Sequence, residues 1–246
     1  MEHITSRKNK IITHLRALGT DAKYRAEAGE FVCDGVKLLD EALAHGARVT
    51  AVLWSGEPLR ELSCPQYTAP RELLEYASYL KTTPGPLFSV AMPERERDVP
   101  GDRLLILDGV QDPGNVGTVI RSANAFGVDA VLLTGECADP YNPKTARATM
   151  GAVFRQRVLQ LEREEIAALV RAKGLKLCGA ALTDSAEDIR TVNFKECAFV
   201  VGSEGRGISP EMLALCDKTV IIPMAAECES LNAAVAASII AWEMGK

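Results

Sequence analysis

Histidine is scarce in this chain. His3, His14 and His45 are the only three in 246 residues, and all fall near the start. No serine–histidine or cysteine–histidine catalytic pair can therefore form in the rest of the chain. The seven cysteines contain no CxxC pair and leave an odd count, which argues against a zinc site or a disulfide framework and fits reduced thiols in a cytoplasm. No GxxxxGK[ST] occurs, so the phosphate-cradling loop of nucleotide hydrolases is missing. Neither Gly114-Asn-Val-Gly117 nor Gly205-Arg-Gly207 has the spacing of a dinucleotide fingerprint. No apolar run nears the roughly 18 residues of a membrane span. The opening MEHITSRKNK lacks the apolar stretch of a secretory leader.

What remains is an ordinary globular composition, 47% hydrophobic and 25% charged, in a chain long enough for one large domain or two of usual size. A net charge of −5 argues against a general polyanion binder. The average hides two basic stretches. Arg7, Lys8, Lys10, Arg16, Lys23 and Arg25 are opposed in residues 1–25 only by Glu2 and Asp21; Lys144, Arg147, Arg155 and Arg157 follow later. Each stretch reads either as a local phosphate footprint or as a solvated helix face.

A charged, proline-flanked stretch, MPERERDVPGD (92–102), marks a boundary between a small α/β domain over 1–95 and a larger one over 101–246. In the first, apolar spacing predicts helices over 6–18, 36–44 and 72–80 and strands over 31–33, 49–54 and 86–91. In the second, strands over 104–108, 129–133, 176–181, 198–201 and 219–222 alternate with helices over 116–126, 163–173, 210–215 and 230–244. That alternation predicts a mostly parallel, helix-covered sheet.

Three blocks carry the chemistry: LILDGVQDPGNVGTVIRSANAFG (105–127), FVVGSEGRGIS (199–209) and VIIPMAAECESLNAAVAASII (220–240). Each is an apolar, β-branched run broken by Gly, Pro, Asn or Glu and resumed as a helix. This sets polar side chains and bare backbone at the carboxyl ends of parallel strands, where open α/β sheets bind ligands. Asn115 stands near a helix start, as a cap or as a ligand contact. Arg121, six residues on, comes roughly 120° round from it, placed to fork onto a phosphate or carboxylate or to make a surface ion pair. The glycines of Gly202-Ser-Glu-Gly-Arg-Gly207 leave room for a ligand against the backbone but do not account for Glu204. In the third block Leu231, Val235, Ile239 and Trp242 form a stripe read as the core face. Ala233, Ala236, Ala237 and Ile240 form a small-residue face for a partner subunit or another helix of the same chain. With the usual hydrolytic groups missing and no metal ligands clustered, the site is expected to work by positioning, charge stabilisation and a ligand that brings its own reactivity.

Together the three blocks resemble the signature motifs of the SpoU (TrmH) family of RNA 2′-O-ribose methyltransferases, within the SPOUT superfamily. The stretch 139–152, DPYNPK through RATMGA, is similar to that family too, and the first 90 residues resemble the small RNA-binding module that many members carry. The resemblance implies a small α/β RNA-binding domain followed by a parallel-sheet α/β domain whose C-terminal segment threads a deep trefoil knot. It also implies S-adenosylmethionine as cofactor, no metal, and a homodimer with the last helix packed across the interface. By motif position it implies a cofactor pocket of Thr134, Gly135, Gly202, Ile222, Met224 and Leu231. The reacting pocket is implied at Asn115, Arg121, Glu204, Ser230 and Asn232, with Arg121 catalytic. That arginine is expected to grip a phosphate and stabilise the developing alkoxide rather than accept a proton, because a guanidinium is a very weak acid. RNA contacts are expected at Arg7, Lys10 and Arg25, with Arg155 as a further one. Ribosomal RNA is the favoured substrate, since the added module widens the contact platform; a transfer-RNA 2′-O-methyltransferase is the alternative. A non-catalytic RNA-binding or ribosome-assembly protein on this fold would have lost Asn115, Arg121 or Glu204. Two positions depart from the family pattern: Ala226, where glycine is common, and Ala233, where valine is usual.

Overall fold

The computed structural model describes residues 2–80, 82–93, 99–225, 227–228 and 230–246, which divide into two packed units. The first comprises Met1–Glu94 and Tyr141–Phe154. Its sheet has the order β1-β4-β3-β5-β2, built from β1 (Glu2–His3), β2 (Glu30–Asp34), β3 (Val49–Trp54), β4 (Gln66–Thr68) and β5 (Leu87–Ala91). Helices α1 (Lys10–Thr20), α2 (Ala22–Ala28), α3 (Val36–Ala44) and α4 (Arg71–Ala77) complete the N-terminal part. Because side chains alternate across a strand, β2 divides its apolar residues between two cores. Val32 packs with Leu15, Leu18 and Leu74 of α1 and α4, whereas Phe31 and Cys33 pack with Leu38 and Leu39 of α3.

The predicted helix over 6–18 starts later and ends later. Asn9 accepts from the Ile11 N–H at 2.9 Å and caps α1 at Lys10. Asp21 then accepts from the Lys23 and Tyr24 N–H groups and opens α2, which sequence reading misses. Arg25 lies on α2 and is only 2% exposed, with Nη1 donating to the Leu18 carbonyl at 3.0 Å. Its expected RNA contact is therefore corrected: the guanidinium ties α2 to the end of α1.

The second unit comprises Arg95–Pro140 and Arg155–Lys246. It begins with β6 (Leu104–Asp108), α5 (Pro113–Ala125) and β7 (Ala130–Thr134). The chain then contributes α6 (Pro143–Ala148) to the first unit and returns with β8 (Val158–Gln160), α7 (Arg163–Ala172), β9 (Lys176–Ala180), β10 (Glu187–Asp188), β11 (Cys197–Gly202), α8 (Pro210–Leu213), β12 (Lys218–Ile221) and α9 (Ala233–Met244). Its strand order is β10-β12-β9-β11-β6-β7-β8, parallel throughout, so the carboxyl ends share one edge. The central strands are buried on both faces, which is why they read as continuous apolar runs.

Residues 141–154 fall in the second domain by sequence reading but pack with the first unit. The Phe31 ring lies 5.0 Å from that of Tyr141 and 6.2 Å from that of Phe154, and Ala146 and Val153 are buried in the same cluster. Residues 94–98 of the proposed boundary lie outside the described residues.

Helix α9 reverses its expected faces. Ala233, Ala237, Ile240 and Ala241 are buried, whereas Val235 is 47% and Trp242 53% exposed, and Leu231 and Ile239 are part-exposed. The small residues are what let α9 approach α5, where Ser238 and Ser122 hydroxyls meet at 2.7 Å. Among the described residues no helix is long and apolar enough to cross a membrane.

Candidate active site

Strand β6 ends at Asp108, which is 2% exposed at the carboxyl edge of the sheet. A carboxylate so buried needs partners. Oδ1 accepts from Nε and Nη2 of Arg163 at 3.2 and 3.1 Å, and Oδ2 from the Ser209 N–H at 2.7 Å. These bonds fix the starts of α7 and α8 to the end of β6.

The following loop reaches Asp112, which caps α5 by accepting from the Asn115 N–H at 2.8 Å. With the cap supplied by Asp112, the amide of Asn115 turns elsewhere: Nδ2 donates to Glu204 Oε1 at 3.0 Å. Glu204 rides a tight hairpin in which the Ser203 N–H donates to the Gly207 carbonyl at 3.0 Å and the Gly207 N–H to the Ser203 carbonyl at 2.8 Å. The hairpin folds back so closely that a Cβ on Gly202 would overlap the Gly207 carbonyl. Asn232 caps α9, its Oδ1 accepting from the Ala234 and Val235 N–H groups at 3.0 and 3.1 Å. Its Nδ2 donates to Asn115 Oδ1 at 3.1 Å and to Glu204 Oε1. One residue from each block thus meets the other two in a hydrogen-bonded triangle.

Arg121 stands outside this triangle. It is exposed on α5, and among the described residues nothing holds its guanidinium. Ser230 is exposed at the lip of a cleft of ≈ 390 Å³ that opens beside Glu204 at the carboxyl ends of β9, β11 and β12. Of the residues expected at the cofactor, Gly202, Ile222, Met224 and Leu231 line that cleft. Thr134 and Gly135 do not, which corrects their expected place. They end β7, and β6 lies between β7 and β11. Gly135, at φ +61, instead backs onto Arg163. Sequence reading misses Leu182 and Thr183, which follow β9 and line the cleft; the end of the strand predicted over 176–181 is the signal available for them. Ala233 also lines it, while Ala226 lies outside the described residues.

Cys137 donates to the Leu107 carbonyl and accepts from the Val110 N–H, both at 3.3 Å. Burial pushes its thiol pKa up, so it stays protonated at neutral pH and is no nucleophile. Among the described residues no group of three potential metal ligands occurs. In the first unit the guanidinium groups of Arg7 and Arg16 lie 4.4 and 4.3 Å from the Tyr76 ring, and Lys10 is exposed nearby in sequence. Arg155 is exposed and donates to Asn124 Oδ1 at 2.8 Å.

A sequence profile described as the SpoU rRNA Methylase family matches residues 102–242. The 23S rRNA (guanosine(2553)-2′-O)-methyltransferase of Bacillus subtilis (strain 168) is 31% identical over 99% of both chains. The 23S rRNA (uridine(2479)-2′-O)-methyltransferase of Streptomyces viridochromogenes is 33% identical over 98% of this chain and 90% of its own length. Among solved structures, the AdoMet-bound rRNA methyltransferase of Sinorhizobium meliloti superposes with a TM-score of 0.87 at 27% identity, covering 99% of this chain and 97% of that one. The SpoU methyltransferase AviRb of Streptomyces viridochromogenes, in complex with AdoMet, also gives 0.87, at 29% identity and 97% of both chains.

Proposed function

Because this chain belongs to the SpoU rRNA methylase family, we propose that it transfers the methyl group of S-adenosylmethionine to a ribose 2′-hydroxyl in ribosomal RNA. The observation that carries the reading is the triangle of Asn115, Glu204 and Asn232 beside the apolar cleft.

The cleft fits the cofactor. Its volume of ≈ 390 Å³ falls within the ~300–1,000 Å³ of small-molecule sites. Ile222, Met224 and Leu231 offer apolar walls for a purine ring, and the Glu204 carboxylate at the mouth favours a cation. When bound, the cofactor supplies a methyl group made electrophilic by its positive sulfur. Everything else falls to the chain. A neutral hydroxyl is a weak nucleophile, so the site must favour loss of its proton. Glu204 accepts from both amides and so locks Asn115 and Asn232 in one orientation toward the ribose. Arg121, whose charge no described partner neutralises, approaches a phosphate and stabilises the oxygen as it becomes negative. The oxygen takes the methyl as the carbon–sulfur bond breaks, and the hydroxyl proton leaves to solvent.

The exposed face of α9 supports a homodimer. Val235, Ile239, Trp242 and Phe126 line a groove that runs on to Asn115 and Asn232, and Trp242 meets Phe126 edge-on at 5.5 Å. A second copy seated there would close the site. Buried tryptophan anchors contribute about 2 kcal/mol or more to interfaces. Trp242→Glu is therefore expected to raise the dimer dissociation constant by about 30-fold or more in sedimentation equilibrium; an unchanged dimer would place the interface elsewhere. In the first unit, Arg7, Arg16, Tyr76 and Lys10 are read as the RNA platform, and the knot and a cytoplasmic location belong to the same reading.

The deciding experiment incubates the protein with unmodified ribosomal RNA and labelled S-adenosylmethionine. Label in the 2′-O-methyl of a ribose is expected. Label on bases or none on RNA would refute the reading.

A further inference from the structure

On the far side of the Ser203–Gly207 hairpin lies a second cleft, of ≈ 510 Å³, at the carboxyl ends of β6 and β7. Glu204 lines both clefts, and Asn115 lines the second. A transfer between two substrates needs both to meet at one point. If the apolar cleft holds the donor, as proposed above, the second is left for the acceptor, and the inference rests on that reading.

The second cleft is polar where the first is apolar. Gln111 Nε2 donates to Glu136 Oε2 at 2.8 Å. That bond orients both side chains and leaves Glu136 Oε1, with the second lone pair of Oε2, to accept. Arg163, at the back, is committed to Asp108. Asp112, Glu136, Glu204 and Glu211 line the cleft against Arg206 at its rim, so its interior favours a group rich in N–H donors over an anion.

RNA bases carry such groups on their pairing edges, which become accessible once a nucleotide is unstacked and swung out. Guanine presents two adjacent donors there, N1–H and N2–H, matching the two oxygens of a carboxylate. Uracil presents one donor between two carbonyl oxygens, which a carboxylate repels. Adenine and cytosine each set one amino group beside a ring-nitrogen acceptor. We propose that this cleft takes the swung-out base of the target nucleotide, and that Glu136, held by Gln111, selects guanine. Arg206, exposed on the hairpin at the rim of both clefts, is placed for the adjoining phosphate.

The test uses the full chain with transcribed 23S ribosomal RNA and S-adenosylmethionine, followed by digestion to nucleosides and mass spectrometry. The expected product is 2′-O-methylguanosine. Glu136→Gln, which turns one acceptor into a donor, is expected to lower kcat/KM by about 10- to 100-fold, with cofactor affinity by calorimetry unchanged. A different methylated nucleoside, or Glu136→Gln turning over like wild type, overturns the inference and leaves the reaction standing. No methylation by the wild type strikes the reaction instead. Saturation-transfer NMR with GMP and UMP then judges the cleft by itself. A GMP signal that disappears in Glu136→Gln upholds it; equal signals from the two nucleotides, or none, overturn it.

Discussion

Arg121→Ala is expected to slow methyl transfer by about 10² to 10³-fold in single-turnover kinetics, the usual effect of removing one preorganised charge or donor from a developing oxyanion. Thermal stability and cofactor affinity should stay at wild-type values. Arg121 is exposed, has no partner among the described residues, and does not line the apolar cleft, so its loss removes no packing and unpairs no buried group. Arg121→Lys keeps the charge but loses the planar fork, and should fall between the two. Its pH–rate profile separates two roles. If the side chain only stabilises charge, the apparent pKa of the reaction stays where it is in the wild type. A shift toward the pKa of lysine would mean that this side chain takes the proton, and the charge-stabilising role would be wrong.

Gly202→Ala is the second large effect. The added methyl meets backbone atoms of Gly207 rather than the far end of a flexible side chain, so the hairpin itself must move. Overpacking of this kind costs about 1–3 kcal/mol. Here the displacement also draws Glu204 away from Asn115 and Asn232 and opens a wall of the cleft. Cofactor affinity is expected to fall by about 10- to 100-fold, measured by calorimetry, and turnover to fall at least as far. A variant that binds S-adenosylmethionine normally would detach this hairpin from the cofactor site.

Much of the catalytic domain is legible from its sequence because central parallel strands are apolar runs bounded by glycine or polar residues. β6 emerges with its predicted limits, as do β3 and α3 of the first unit. The short strands β1, β4, β8 and β10, of two or three residues each, leave no periodic trace. Helix α9 is apolar nearly all round, and hydrophobicity cannot then say which side is buried. Close approach to α5 decides it, and favours alanine over valine and tryptophan. Thr134 and Gly135 are misplaced for a different reason: motif position does not reveal that β6 stands between them and the cleft. Arg25 shows the same limit on charge reading. A guanidinium that bonds a helix-terminal carbonyl looks, in sequence, like any other basic residue in a cluster.

The first unit is discontinuous along the chain, and this orders its synthesis. Residues 141–154 leave the ribosome long after residue 94, once β6, α5 and β7 have already been made. Until then, Phe31 and its neighbours await the rings of Tyr141 and Phe154. A gene fragment stopping at residue 94 would encode an unfinished fold. Completion of the first unit is therefore tied to synthesis of a stretch that lies inside the second.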